Sequence, residues 1–181
     1  MQSDHFIQQR IQETQEIMRQ VAQLSDKDLY ALTWKANPAS WSVLECLEHL
    51  NLYGDFYIPA IKNAMESSIN KSNQTFNGGF LGNYFAKKML PKEKLNRLKT
   101  FKDKNPLNAP LDKTTIDRFL QQQTTLIELL ETSKTYSLDK VKVSTSISKF
   151  IKLTLGDTFH FVINHNLRHM KQIERILNLE G

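Results

Sequence analysis

Three of the five histidines in this 181-residue chain fall within the stretch FHFVINHNLRHM, residues 159 to 170. Imidazole titrates near neutrality and is the commonest protein ligand for transition metals, so the cluster points to proton transfer or to a bound ion. His165 and His169 are four residues apart, which on a helix puts their Cβ atoms about 5–6 Å from each other. Two imidazoles at that separation can converge on one ion through bonds of about 2.1 Å. At 100° per residue, His169 lies about 40° and Gln172 about −20° from His165, so the three share a face. His160 lies at about −140°, among Asn164, Lys171 and Glu174, and is expected to meet water. Two ligands do not make a site, and His49 is the best third, because His5 sits at a fraying terminus. Spacing alone leaves another reading open, in which these histidines are hydrogen-bonded core or surface residues.

The elements that must position these residues are helices. Ile7, Ile11, Ile17, Met18, Val21 and Leu24 recur at helical spacing and predict a first helix from about Ser3 to Leu24. Ser42-Val43-Leu44-Glu45 has the form of a capping box, which starts a second helix running to about Ser67, with a bend near Asp55 imposed by Pro59. On it His49 borders the apolar arc of Val43, Cys46, Leu47, Leu50 and Tyr53. A third helix is predicted from about Thr114 to Thr135. Gly156-Asp157 reads as a stop and an N-cap for a fourth helix ending near Leu179. Residues 68 to 111 form a long crossover, with a short helix expected at Tyr84 to Leu90, and 136 to 155 alternate weakly, as short extended or helical pieces do. The fold class expected is all-α, a four-helix bundle with its long crossover between helices 2 and 3, in one domain spanning 1–181.

Composition narrows the chemistry. Cys46 is the only cysteine, so an intrachain disulfide and a thiolate-built zinc site are both excluded, and any metal must be held by His, Asp or Glu. No apolar run approaches the roughly eighteen residues of a membrane span, and no signal-peptide core is visible, so a cytoplasmic protein without a membrane partner is expected. The net charge of +5 is uneven. Residues 87 to 104 hold seven Lys and Arg97 against Glu93 and Asp103, the footprint of a nucleic-acid binder. With one arginine and only Phe101 interleaved among the cations, base readout has little to work with, so a solvated crossover is expected and nucleic acid is not.

WSVLECLEHL at 41–50, followed far downstream by LGDTFHFVINHNLRHMKQ at 155–172, resembles the DinB/YfiT-like superfamily. The resemblance rests on Trp41, Ser42, His49, His165, His169 and Gln172, together with the helix count and the long crossover. It implies an up-down-down-up arrangement, frequent dimerisation, and a divalent ion, zinc or nickel foremost, held by His49, His165 and His169 and completed by water. It leaves the reaction open between hydrolysis and thiol-dependent transfer, with a small-molecule or thiol substrate.

Three neutral imidazoles and one open position describe a catalytic rather than a structural site. Such an ion can bring the pKa of bound water to about 7, or activate a thiol. Glu45 and Gln172 are the candidate helpers: Glu45 as a base or as an orienter of an imidazole, against its capping role, and Gln172 as a hydrogen-bond partner of a ligand or substrate. The competing expectation is a non-catalytic metal-binding or dimerising stress-response module.

Overall fold

The computed structural model describes every residue except 81, 83, 85–88, 90–99, 147, 149 and 181. Four long helices carry the core: α1 (Ser3–Ala22), α3 (Val43–Glu66), α4 (Thr114–Ser133) and α5 (Leu155–Glu180), with a short α2 at Leu29–Thr33. The first α-helix ends at Ala22, two residues before Leu24, because Gln23–Asp26 tightens into a 3-10 turn that still buries Leu24. The second helix begins as expected. Ser42 accepts from the Glu45 backbone N–H while the Glu45 carboxylate accepts from the Ser42 backbone N–H, a reciprocal cap that satisfies two otherwise orphaned donors. α3 then runs through Pro59 as one helix to Glu66.

α5 starts earlier than its Gly156-Asp157 pair suggests. The N-cap is Thr154, whose Oγ1 accepts from the Asp157 backbone N–H and donates to the Asp157 carboxylate. Gly156 is therefore inside the first turn and ends nothing. Its lack of a side chain lets the Phe76 ring sit where a Cβ would come within 2.5 Å of it. The weakly alternating segment before α5 forms a two-stranded antiparallel sheet, β1 (Lys142–Ser144) and β2 (Lys152–Thr154), with Val143 opposite Leu153 and both buried. The chain is thus mostly helical, as expected, with this hairpin added. Most of the short helix expected at Tyr84 to Leu90, and most of the basic segment, lie outside the described residues.

α3 packs on α4 and α5, and α1 packs on the same two helices. Their stripes share one apolar cluster that includes Ile7, Ile17, Leu47, Phe119, Leu126 and Phe159. Contacts fix the register. Along α3 and α5, His49 meets His169, Tyr53 meets His165 and Tyr57 meets Phe161, so one number rises as the other falls. Along α3 and α4, Glu48 meets Arg118 and Asp55 meets Gln122, and the numbers rise together. The crossover is tied down at both ends. Its start pairs Phe76 with Met1 and Ser72 with Thr135, and its end, residues 104–108, lies against the first turns of α3.

Candidate metal centre

His49 from α3 and His165 and His169 from α5 meet inside the helical core, with exposures of 3%, 6% and 7%. The Nε2 of His165 lies 3.2 Å from the Nε2 of His49 and 3.1 Å from that of His169. Three nitrogens bound to one ion at about 2.1 Å stand roughly 3.0–3.4 Å apart at octahedral or tetrahedral angles, so these contacts have the spacing of a shared ion. A single proton serves one such contact well; a cation serves all three nitrogens.

The tautomer of His49 follows from its other nitrogen. Nδ1 lies 2.6 Å from the backbone carbonyl of Lys104, which can only accept, so Nδ1 carries the hydrogen and Nε2 turns its lone pair to the other two rings. Burial, outweighing the Lys104 carbonyl bond, pushes the His49 imidazole down to about 4. His165 and His169 are held well below the usual imidazole range, first by burial and then by the neighbouring imidazoles and the Arg168 guanidinium. All three rings are therefore neutral at pH 7, the form that binds metal.

Aromatic rings enclose the triad. Trp41 lies over His49 at 4.7 Å and stacks on His169 at 5.9 Å between ring centres, Tyr53 meets His165 edge-on at 4.6 Å, and Phe161 stacks beside His165. Burial raises the Tyr53 phenol to about 12, so it is a hydrogen-bond donor at neutral pH. A cavity of about 10 Å³, room for one water, borders His165 and is also lined by Tyr57, Gln123 and Asn166. A larger groove of about 540 Å³ lies between the end of α1 and α5, against Leu24, Met170 and Ile173, and none of the three histidines lines it.

The other expected participants divide. Glu45 is buried and fully occupied: besides its cap, it receives the Lys35 ammonium at 2.6 Å and the Asn108 backbone N–H at 2.5 Å. Its capping role holds, and no contact to a triad imidazole accompanies it. Gln172 is half-buried beside His169, whose protonated form its amide favours, but the geometry falls short of a formed hydrogen bond and His169 Nδ1 is left without a partner. Cys46 is buried and free, and burial pushes its thiol far up, so it fills space as expected.

His160 does not simply meet water. It is half-buried and packs edge-on to Phe6 of α1 at 6.2 Å, and its supposed polar-side neighbour Asn164 is fully buried. A helix wheel marks which residues share a face, but not how many neighbouring helices cover it. The residues that sequence reasoning missed are Lys35, Asn105 and Asn108, and the backbone of Lys104. A carbonyl has no residue-type signature; Asn105 and Asn108 reach the site only through the crossover's path, and Lys35 through the turn of the chain between α2 and α3.

A mostly helical chain that brings three neutral imidazoles from two of its long helices to one point defines a histidine-centred helical protein with the donor set of a metal site. The model of the DinB superfamily matches residues 8–173, and the chain belongs to that superfamily. No curated protein and no solved structure matches the chain.

Proposed function

We propose that this protein is a divalent-metal-dependent enzyme that activates water or a thiol at His49, His165 and His169, as a hydrolase or a thiol S-transferase. The observation that carries this reading is the meeting of three Nε2 atoms, with His49 held in the metal-binding tautomer by the Lys104 carbonyl. A divalent ion on three neutral imidazoles supplies a Lewis acid that lowers the pKa of a water or thiol placed beside it. The protein's own residues supply the rest. Trp41 shields two of the rings from bulk water, and Tyr53 offers a phenolic hydrogen to a substrate oxygen next to His165. An all-imidazole set suits zinc, nickel, copper or iron, of which this reading takes zinc or nickel, and softer thiolate-seeking ions suit it least.

The same reading takes residues 1–181 as one domain of up-down-down-up topology, which the opposed register of α3 with α5 and the shared register of α3 with α4 support. It also takes the protein as a cytoplasmic homodimer with a small-molecule or thiol substrate; none of the described helices is long and apolar enough to cross a membrane. A second reading, metal binding without turnover, draws support from the small space beside His165 and from the engagement of Glu45 elsewhere.

The deciding experiment uses protein purified without a metal-chelate column. Its metal content is measured, the metal-free form is titrated with Zn²⁺ and Ni²⁺, and esters and thiol–electrophile pairs are assayed. Binding of about one equivalent is expected, and His169→Ala is expected to weaken it by about 100-fold or more, beyond the loss typical of removing an outer partner. Equal, weak binding by wild type and His169→Ala would overturn the site, and tight binding without turnover would favour the second reading.

A further inference from the structure

The Glu45 carboxylate is buried one turn before His49, yet it faces away from the triad and toward the end of the crossover. One oxygen, Oε1, receives both the Lys35 ammonium at 2.6 Å and the Asn108 backbone N–H at 2.5 Å, and the same ammonium donates to the Asn108 side-chain oxygen at 2.9 Å. Asn108 adopts φ 62°, a left-handed conformation that Asn tolerates better than most residues and that accompanies the turning of its N–H toward Glu45. Four residues earlier, the same short segment delivers the Lys104 carbonyl to His49 Nδ1. Between them, Asn105 accepts from the Trp41 indole N–H at 3.2 Å and so ties the ring over the triad to the same segment. Pro106, buried beside it, limits how the segment can rearrange.

We propose that Lys35, Glu45 and Asn108 form a clamp that holds residues 104–108 against α3, and that the clamp sets the His49 tautomer through the Lys104 carbonyl. Glu45 is then a positioning residue, not a base. The physical reason is rank of strength: a buried carboxylate with an ammonium and a backbone N–H makes charge-assisted bonds, whereas the Lys104–His49 bond is a neutral one, made by the carbonyl at the end of a single 3-10 turn, Lys102–Lys104. The stronger contacts locate the loop, and the weaker one inherits its geometry. Outer partners of this kind control ligand orientation and metal affinity by about 10–100-fold. The proposal rests on the reading of the triad as a metal site for its consequence, but the tautomer itself is a property of the metal-free chain.

The test is ring ¹⁵N NMR of metal-free full-length protein, with the His49 signals assigned by their loss in His49→Gln. Wild type is expected to show His49 as a single Nδ1–H form. Glu45→Gln, which keeps the shape of the cap and removes the charge, is expected to give a mixture of the two tautomers and to lower Zn²⁺ affinity about tenfold. Lys35→Met lies outside α3 and its cap, and it is expected to shift the same signals in the same direction, which covers the case in which Glu45→Gln does not fold. His49 signals that match wild type in every folded variant would overturn the clamp, as would a wild-type His49 that carries its hydrogen on Nε2. If wild type binds no Zn²⁺, the metal reading fails while the tautomer result still decides the clamp.

Discussion

His160 shows how a neighbouring helix changes the chemistry of a single side chain. Its ring packs against Phe6, and burial, assisted by the Arg10 guanidinium, lowers its pKa to about 4. In the unfolded chain an imidazole takes up its proton near 6.5. Between those values the unfolded state binds a proton that the native state refuses, so the stability present above about pH 6.5 is lost as the pH falls through about 4. His49, also lowered to about 4, adds to the same window when no metal is bound. Thermal melts of metal-free protein should therefore show a melting temperature that declines from pH 6.5 to 4, and His160→Gln should decline less steeply. Identical slopes would mean that His160 is as accessible to protons in the folded protein as in the unfolded one. Nothing in the spacing of His160 announces this, because Phe6 is more than 150 residues away in sequence.

At the level of elements, two glycines separate local preference from packing. Gly54 lies within α3, and a Cβ there would meet the carboxamide of Gln122, the far end of a flexible side chain, which can move aside only by loosening its bonds to the Asn51 carbonyl and the Asp55 carboxylate. Helix propensity then favours alanine by up to about 1 kcal/mol. Gly156 also lies in a helix, but a Cβ there would meet the Phe76 ring at 2.5, 2.6 and 3.0 Å, and that ring is buried against Phe6. Overpacking of this kind costs about 1–3 kcal/mol. The lost Gln122 bonds offset the propensity gain at Gly54, so chemical denaturation should find Gly54→Ala much less destabilising than Gly156→Ala; equal responses would show that the Phe76 ring has room to move. The beginning of α3 was legible in Ser42 and Glu45 because a capping box is a local device. The beginning of α5 differs from what Gly156-Asp157 suggests because β2 delivers the chain into Thr154, and strand pairing across a hairpin is not local.

For the whole molecule, the apolar cluster and the triad contribute separately. The cluster runs through all four long helices and needs no ion, so a chelator should leave the protein folded. Ion binding to the native state alone adds about 2.7 kcal/mol of stability at a free concentration 100 times the dissociation constant. For a chain of this size that corresponds to a rise in melting temperature of about 5–10 °C. Calorimetry with and without Zn²⁺ and chelator should show this reversible shift in wild type and little of it in His169→Ala. Loss of all cooperative unfolding on chelation would instead make the ion part of the core.

The helices, the start of α3 and the pairing of His165 with His169 could be read from the chain because each depends on neighbours within one or two turns, where periodicity and capping act. In the sequence His49 joins them only as the best-placed third imidazole and through resemblance. Its approach to within 3.2 Å of His165 is a product of how α3 packs on α5. The Lys104 carbonyl, the Glu45 anchor beneath it, and the burial of His160 and Asn164 were decided by tertiary structure alone. Each joins segments distant in sequence, and hydrogen bonds to backbone and the covering of a helix face depend on the path of the chain, which no short-range pattern records.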